Sequence, residues 1–555
     1  MKKIKISLFS LIIASVLASC GSAAIVATPI TNVDHIPTKN VPLTDEQIKV
    51  WSAMDLTRDT VPGMSVDRAY EEIIKNRKGK TVIVGVIDSG LDIDHEDLKN
   101  VLWVNEGEIA GNNIDDDNNG YVDDIHGWNF LGDILGDQME STRIVRRFRD
   151  KFEDKDVSEI APSDMEDFEL YQKARKDFDE KVAETANNKT RYSFMIAQIE
   201  PAHQAMVQRF GKEDYTIDDL NSIEDPTQED AQRIAMLTQM LSFGDSIDQV
   251  LEDLQNGVEY FDNRLKYHFN LEEDFREVLG DDPFDINDKY YGDNNVVSID
   301  PTRENALHGT HVAGIIAAER NNDIGTDGVA NNVRIMAVRA VPDGDEHDKD
   351  IALAIRYAVD NGAKILNTSF GKYFSPNSEW VYDAIKYAAS KDVLIVNAAG
   401  NDAYDLDTIN VYPNDQWDNG SEIADSFITV GALNYEYGEN MLARFTNYGK
   451  INVDVFAPGV QIYAPTPNNE YKLLNGTSMA APNVAGVAAM IRSLYPKLTA
   501  PQVKKIILES GISPNIEVIL GGNPENRDNF RNVSKSGKIV NMYNALIMAD
   551  KISRQ

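Results

Sequence analysis

The 555-residue sequence has a single cysteine, Cys20, and few basic residues for its length. One thiol excludes a disulfide within the chain, so stability must come from a large core or from bound metal. Only 54 lysine and arginine residues stand against 90 aspartate and glutamate residues, which leaves a formal net charge of -36. Phosphate backbones would repel such a chain, and we therefore expect no nucleic-acid partner.

Apolar residues, in contrast, are not scarce. They make up 42% of the sequence, which is enough to fill a core. A chain of 555 residues is expected to form two or three folding units.

The first 20 residues have the pattern of an export signal. Three lysines precede an apolar stretch at residues 6–18, which is too short to span a bilayer. The signal ends in LASC at residues 17–20, which resembles the bacterial lipobox, where a lipid is attached to the cysteine and the peptide is cut just before it. We expect an exported protein that Cys20 anchors to the bacterial cell envelope, at the outer membrane or the cell surface. The alternative is an ordinary cleaved signal with an incidental cysteine.

The rest of the chain divides by composition. Residues 21–44 are rich in Thr, Pro, Ala and Asn and predict a tether. The run TVIVGVI at 81–87 has no alternation, which predicts a strand buried on both faces. From residue 304, strand-like and helix-like segments alternate, which predicts a parallel sheet covered by helices. Residues 137–295 are acidic, with apolar residues spaced by three or four, which predicts helices.

The predicted fold is therefore α/β, a parallel β-sheet sandwiched by helices, with an inserted α-helical subdomain. Its first part covers residues 45–136 and its second part 296–555, with the acidic helical insertion at 137–295 between them.

Three segments carry side chains that acyl transfer requires, namely a nucleophile, a base and a carboxylate that orients the base. Asp88 ends the buried run. His308 lies in LHGTHVAG at 307–314, whose small residues let a helix begin close to a sheet. Ser478 lies in NGTSMAAPNVAG at 475–486, at the start of an apolar helix. Free amides and the helix dipole at such a start suit both a nucleophile and an oxyanion.

These segments resemble the triad segments of the subtilisin-like serine proteases, and they occur in the family order Asp, His, Ser. A fourth segment, NAAGN at 397–401, is similar to the family segment whose asparagine donates to the oxyanion, which implies that role for Asn401. The resemblance implies a subtilisin-like fold and an endopeptidase that acts on proteins or peptides.

The same resemblance implies residues that contact substrate. The segment NTSFG at 367–371 is similar to the family segment that lies beside the substrate main chain, so Ser369, Phe370 and Gly371 are expected to pair with an extended peptide. Ala399 and Gly400 are expected to form part of the primary specificity pocket.

Two other interpretations are open. His308 and His311 have the spacing of half a metal site, although the adjacent glutamate of zinc proteases is missing. A catalytically inactive subtilisin fold could instead serve binding or cation-dependent adhesion, with the acidic insertion as its working surface. For the insertion itself, we favour restriction of access to the cleft or binding of a partner over simple bracing.

An acidic loop at residues 115–124 predicts a calcium site. Oxygen-bearing side chains alternate and are followed by a glycine, which is the spacing of a loop that wraps a hard cation and resembles the first nine positions of an EF-hand. His126 replaces the glutamate expected at position twelve, so an acidic turn without metal is the alternative. Asp97 has the spacing of another family calcium ligand. The expected calcium ligands are Asp115, Asp117, Asn119, Asp123 and the carbonyl of Tyr121.

Overall fold

The computed structural model describes residues 25–416 and 419–555. Cys20 and the predicted signal lie outside the described residues. Within these two ranges, no helix combines the length and the apolar character needed to cross a membrane.

A seven-stranded sheet forms the centre of the fold, and all of its strand pairs are parallel. The order across the sheet is β2-β3-β1-β4-β5-β6-β7. Its strands are β1 (Val82–Asp88), β2 (Gly127–Asn129), β3 (Val333–Arg339), β4 (Ile365–Thr368), β5 (Leu394–Ala398), β6 (Phe427–Leu433) and β7 (Val455–Pro458). Two antiparallel hairpins accompany it, β8 (Ile462–Thr466) with β9 (Glu470–Leu474) and β10 (Glu517–Leu520) with β11 (Asn523–Asn529).

The continuous apolar run of β1 serves two cores, one on each face of the sheet. Val84 and Val86 belong to the core on one face, and Ile87 belongs to the core on the other. Both faces of a central parallel strand are covered by helices, so successive side chains are all buried and the sequence shows no alternation.

Fourteen α-helices occur within the described residues. They are α1 (Asp45–Val50), α2 (Leu56–Asp59), α3 (Val66–Ala69), α4 (Glu140–Phe152), α5 (Met165–Phe210), α6 (Ile217–Asn221), α7 (Gln228–Met240), α8 (Ile247–Asn263), α9 (Leu307–Ala317), α10 (Asp348–Asp360), α11 (Ser378–Ser390), α12 (Thr477–Leu494), α13 (Ala500–Ser510) and α14 (Met542–Ser553). Helices α9 and α12 to α14 pack on one face of the sheet, and α10 and α11 pack on the other. The predicted α/β sandwich is confirmed.

Helices α4 to α8 lie within residues 137–295 and surround two small cores of their own. The near core joins α4 to the first half of α5 and includes Phe374 of the main fold. The far core joins the second half of α5 to α6, α7 and α8. The near core therefore attaches the insertion to the sheet domain, while the far core holds its outer helices together.

The predicted tether differs from its expected form. From residue 25 the chain packs along the sheet domain, and Ile30 and Val33 are buried. The Asn544 side chain accepts a hydrogen bond from the Ile30 amide (2.7 Å) and donates one to the Ile30 carbonyl (2.9 Å). Residues 25–44 are therefore part of the fold, because their apolar side chains and backbone groups find partners on it.

Candidate active site

The candidate residues meet at the carboxyl ends of three neighbouring strands. Asp88 is the last residue of β1, Ser369 follows β4, and Asn401 follows β5 after the two residues Ala399 and Gly400. Strand β1 pairs with β4, and β4 pairs with β5. In parallel sheets this edge is where ligand-binding crevices form.

Helix α9 brings His308 to Asp88. The Nδ1 atom of His308 lies 2.7 Å from Oδ1 of Asp88, which also accepts a hydrogen bond from the Ser89 amide (2.8 Å). Gly309 makes this approach possible, because a Cβ atom there would lie 2.1 Å from the carbonyl oxygen of Gly90. The small residues of the LHGTHVAG segment thus have the structural role predicted for them.

The Asp88 carboxylate controls the titration of His308. Burial alone would lower the pKa of His308, but the charge of Asp88 and its hydrogen bond outweigh burial and raise the pKa above the ordinary 6.5. A bond to Nδ1 also leaves Nε2 as the atom available to exchange a proton.

Ser478 lies in the first turn of α12, where amides have no partner within the helix. Among the described residues, its hydroxyl donates to the carbonyl of Ser369 (3.1 Å) and not to His308. The Ser369 hydroxyl in turn donates to the Ser478 carbonyl (2.9 Å). The structure therefore joins Asp88 to His308 and Ser478 to Ser369 without a direct serine–histidine bond. Such bonds often form only when substrate binds.

Asn401 is held by the same helix start. Its Oδ1 atom accepts hydrogen bonds from the Thr477 amide (2.8 Å) and the Thr477 hydroxyl (3.0 Å). These bonds fix the orientation of the amide group, so its NH₂ group is left to donate elsewhere. Asn401 itself is exposed.

The model of the subtilase family matches residues 79–534, which is more than half of the chain. The chain belongs to the subtilase family. The resemblance in the sequence is thereby confirmed.

The subtilase is 43% identical over 193 residues to a thermophilic serine proteinase of Bacillus sp. (strain AK1), which covers 34% of this chain and 42% of that protein. It is 38% identical over 200 residues to subtilisin DY of Bacillus licheniformis, which covers 36% of this chain and 67% of that protein. A solved protease structure from Pseudoalteromonas arctica is 29% identical, with a TM-score of 0.35, and covers 44% of this chain and 70% of that chain. The matches span from about two fifths to two thirds of the curated relatives' own length.

Residues 369–371 of the subtilase form an open segment beside Ser478. Ser369 is buried, Phe370 is half-buried and Gly371 is exposed. The next residue, Lys372, is paired through its backbone with Tyr412 (2.9 and 2.8 Å). Main-chain pairing with a neighbouring segment thus begins immediately after Gly371.

The side chain of Lys372 is buried and links this segment to the insertion. Its Nζ donates to Glu140 of α4 (2.8 Å) and to the carbonyl of Glu346 (2.7 Å), and it forms an ion pair with Asp348 (2.9 Å). Burial would raise the pKa of Glu140, but Arg143 and Lys372 hold it well below its ordinary value. Removing one partner of a buried pair leaves an uncompensated charge, so this network ties the two regions together.

Ala399 and Gly400 form a turn after β5. Ala399 is buried, and its amide donates to the Val430 carbonyl (3.0 Å). Gly400 has a φ of +99°, and a Cβ atom there would lie 2.5 Å from Nδ2 of Asn447. Its amide donates to the Thr477 hydroxyl (3.0 Å), which places the turn against the start of α12.

A cavity of about 730 Å³ lies beside His308. Asp88, His308 and Ser369 line it together with Tyr260, which belongs to α8 of the insertion. Tyr260 lies 48 residues before His308, in a region with no family pattern, so only the tertiary structure shows that it reaches the site.

His311 is a packed residue of α9. It is fully buried, and its Nε2 lies 3.0 Å from the Ile462 carbonyl and 3.1 Å from the Lys472 carbonyl. Burial lowers its pKa to about 4. His311 and His308 therefore face different partners.

The acidic loop differs from its predicted ligand set. Asp115 and Asp117 come together with Glu108, and one carboxylate oxygen of each lies within 4.8 Å of the others. Asp123 instead accepts from the amides of residues 111–113 (2.8 to 3.3 Å). Asp123 therefore stays outside the cluster, because its carboxylate closes the preceding turn.

Asn119, Tyr121 and Asp97, the other predicted ligands, also have partners in the structure. The Asn119 side-chain oxygen accepts from the Tyr121 amide (2.8 Å), and the ring of Tyr121 is buried against Trp128 and Tyr357. Asp97 accepts hydrogen bonds from the Glu319 amide (3.1 Å) and from Asn322 (2.7 Å). Glu108 was not predicted, because it lies outside the alternating motif. A cluster of three carboxylates is present, and two of its members, Asp115 and Asp117, are among the predicted ligands.

Proposed function

We propose that this subtilase is a serine endopeptidase in which Ser478 attacks the scissile carbonyl carbon and His308 accepts the hydroxyl proton. The 2.7 Å contact between Asp88 and His308, at the sheet edge that also holds Ser478, carries the proposal. The Ser478 oxygen forms a bond to carbon as the carbon–nitrogen bond breaks, and His308 returns the proton to the leaving amine. Water then hydrolyses the acyl-enzyme by the same proton route.

One rotation precedes this step. The Ser478 hydroxyl, which donates to Ser369 in the free protein, turns about its Cα–Cβ bond to donate to Nε2 of His308. Asp88 holds the Nδ1–H tautomer and stabilises the imidazolium that forms, which agrees with the raised pKa of His308.

The oxyanion is bound by the NH₂ group of Asn401 and by the amide of Ser478. Thr477 donates two hydrogen bonds to the side-chain oxygen of Asn401, so the NH₂ group of Asn401 is positioned before substrate arrives. Donors of this kind act on charge that develops only in the transition state and therefore raise the rate rather than ground-state affinity.

The substrate binds as an extended strand beside Ser369, Phe370 and Gly371. The exposed main chain at Gly371 supports this pairing. Ala399 and Gly400 border the pocket for the side chain next to the scissile bond, where their small size leaves room.

A fluorophosphonate probe and casein hydrolysis test the function. Wild type is expected to be labelled at Ser478 and to cleave casein, and Ser478→Ala is expected to do neither. Ser390→Ala, on the exposed end of α11, is the matched control and should behave as wild type. Casein cleavage that survives Ser478→Ala would overturn the proposal, and a folded wild type without label or cleavage would favour an inactive binding or adhesion protein.

We also propose that the acidic cluster binds calcium through Glu108, Asp115 and Asp117. Three carboxylates at this separation repel one another, and a hard cation with a preference for oxygen ligands offsets that repulsion. The hydrogen bonds from the amides of Asp116 and Asp117 to Glu108 hold the loop in shape around the cluster. Calcium should raise the unfolding temperature of wild type but not of Asp117→Asn, with the fully exposed Asp150→Asn as control.

Finally, we propose that Cys20 carries a lipid that anchors the protein to the cell envelope. The support is the lipobox resemblance at residues 17–20. Metabolic labelling with an alkyne fatty acid should mark wild type and not Cys20→Ser, and detergent should be needed to release only the former. A labelled Cys20→Ser variant would contradict the proposal.

A further inference from the structure

The cavity beside His308 is built jointly by the sheet domain and the insertion. Leu135, Leu307 and Val341 give it apolar walls, and Tyr260 adds an aromatic ring that is 54% exposed. Glu304 and Asp343 also line it, and both are exposed. The cavity therefore combines apolar walls with two exposed carboxylates.

The insertion is fixed to this cavity by hydrogen bonds. The Asp343 amide donates to the Leu135 carbonyl (3.0 Å), and the Asp137 amide donates to the Asp343 carbonyl (2.8 Å). Nε2 of His268, in the turn that follows α8, lies 3.1 Å from the Asp343 carboxylate. Tyr260 lies only eight residues before His268, so its position is coupled to the wall of the cleft.

The exposed part of the cavity carries negative charge. The hydrogen bond from His268 lowers the pKa of Asp343, and its carboxylate remains 57% exposed. The positive charge of Arg339 lies on the buried side, where its guanidinium donates to the carbonyls of Ser89 (3.1 Å) and Gly132 (2.9 Å). Arg264 also lies here: its guanidinium is 5.7 Å from the centre of the Tyr260 ring, and its charge helps to lower the pKa of Asp343. Glu304 and Asp343 outnumber it, so a further cation is favoured near the opening, whereas Arg339 disfavours one at the base.

We propose that this cavity selects substrates with a lysine or arginine side chain. The aliphatic stem lies on the apolar walls and on the ring of Tyr260, and the charged end stays near water beside Glu304 and Asp343. An acidic side chain is repelled, and an apolar one gains nothing from the carboxylates. The inference rests on the proposed peptidase activity and assigns the insertion a direct part in substrate choice.

A positional peptide library tests this specificity. The purified full-length protein is given fluorogenic peptides randomised at four positions before the scissile bond, and kcat/KM is compared for lysine and glutamine at each position. One position should favour lysine. The preference should fall about two- to fivefold for each carboxylate removed in Glu304→Gln and Asp343→Asn. It should also shrink in wild type at 1 M salt, where exposed charges are screened.

Controls separate this inference from the proposed function. Tyr260→Ala should weaken cleavage of the lysine peptide more than that of the glutamine peptide. Phe243→Ala, which removes a ring 73% exposed between α7 and α8, should change neither. Fluorophosphonate labelling checks that each variant is folded.

The outcomes are distinct. If wild type cleaves none of the peptides, the proposed function fails. If it cleaves them without a preference for basic residues, or if the preference survives both carboxylate substitutions and high salt, only the specificity inference is overturned.

Discussion

The sheet domain and the insertion each contain a buried histidine–aspartate contact, and the two contacts differ in what is exposed. In the sheet domain Asp88 is buried, and the His308 side chain is 38% exposed towards the cleft. In the insertion His203 is buried, and its partner Asp248 is 56% exposed. The first arrangement leaves the imidazole open to the cleft, as its proposed role requires, whereas the second buries the imidazole and leaves only the carboxylate exposed.

The helices of the sheet domain and of the insertion also differ in how many of their residues are buried. Helix α12 has 16 buried residues out of 18, because strands and helices surround it. Helix α5 has 9 buried residues out of 46. All residues of α12 except Ser478 and Leu494 are buried, whereas most residues of α5 are half-buried or exposed. Position in the packing, more than residue type, therefore decides which polar groups can do chemistry.

Loss of the orienting carboxylate should give the largest effect. We expect Asp88→Asn to lower kcat by about 10⁴-fold, because the amide stabilises the wrong tautomer of His308. The matched change in the insertion, Asp248→Asn, should leave kcat within twofold of wild type, a margin for assay scatter of about 0.4 kcal/mol. Steady-state assays on one peptide measure both. Equal losses would show that the two contacts are not functionally different.

Loss of the oxyanion donor should come next. We expect Asn401→Ala to lower kcat by about 10² to 10³-fold with little change in KM, since the lost bond forms in the transition state. Asn221→Ala, on the exposed end of α6, is the control in the insertion. A rise in KM with kcat intact would place Asn401 in ground-state binding instead.

A matched pair of substitutions compares the packing. Ala485→Val in α12 adds two methyl groups at a position with no exposure and should lower the free energy of unfolding by about 1–3 kcal/mol. Ala183→Val, at an exposed position of α5, should cost about 0.5 kcal/mol, from helix propensity. Urea unfolding monitored by circular dichroism gives both values. Similar costs would mean that α12 is less tightly packed than its burial indicates.

The smallest effect concerns pH. Because the pKa of His308 is raised above 6.5, activity should be lost on acidification at a higher pH than for a free imidazole. Protonated His308 cannot accept the serine proton, so kcat/KM falls as pH drops through that pKa. In Asp88→Asn the inflection should move to lower pH, whereas in Asp248→Asn it should stay. Profiles at constant ionic strength check this, and an unmoved inflection in Asp88→Asn would contradict the assigned cause.

Much of the fold and of the candidate active site could be predicted from the sequence, because local sequence patterns specify them. Three sequence features determine the structure close to themselves. They are the apolar run of β1, Gly309 after His308, and the small residues of α12. They led to the correct family and fold, and to side chains that meet at one sheet edge.

What could not be predicted depends on distant contacts. Glu108 joins the acidic cluster and Asp123 leaves it because of how one loop closes, which residue spacing does not encode. Tyr260 lines the cavity beside His308 although it belongs to a helix of the insertion, 48 residues earlier in the sequence. Residues 25–44 looked like a tether because their partners, Asn544 and Tyr437, lie about 400 to 500 residues away in sequence.

The ion network of Lys372 limits how this protein could be re-engineered. A substituted insertion with no acidic residue in place of Glu140 would leave the ammonium group of Lys372, one residue past Gly371, short of a counter-charge. Chimeras that exchange the helical subdomain must therefore carry Lys372, Asp348 and Glu140 across as a unit. The insertion is therefore not structurally independent, because the same buried ion network supports both α4 and the segment beside Ser478.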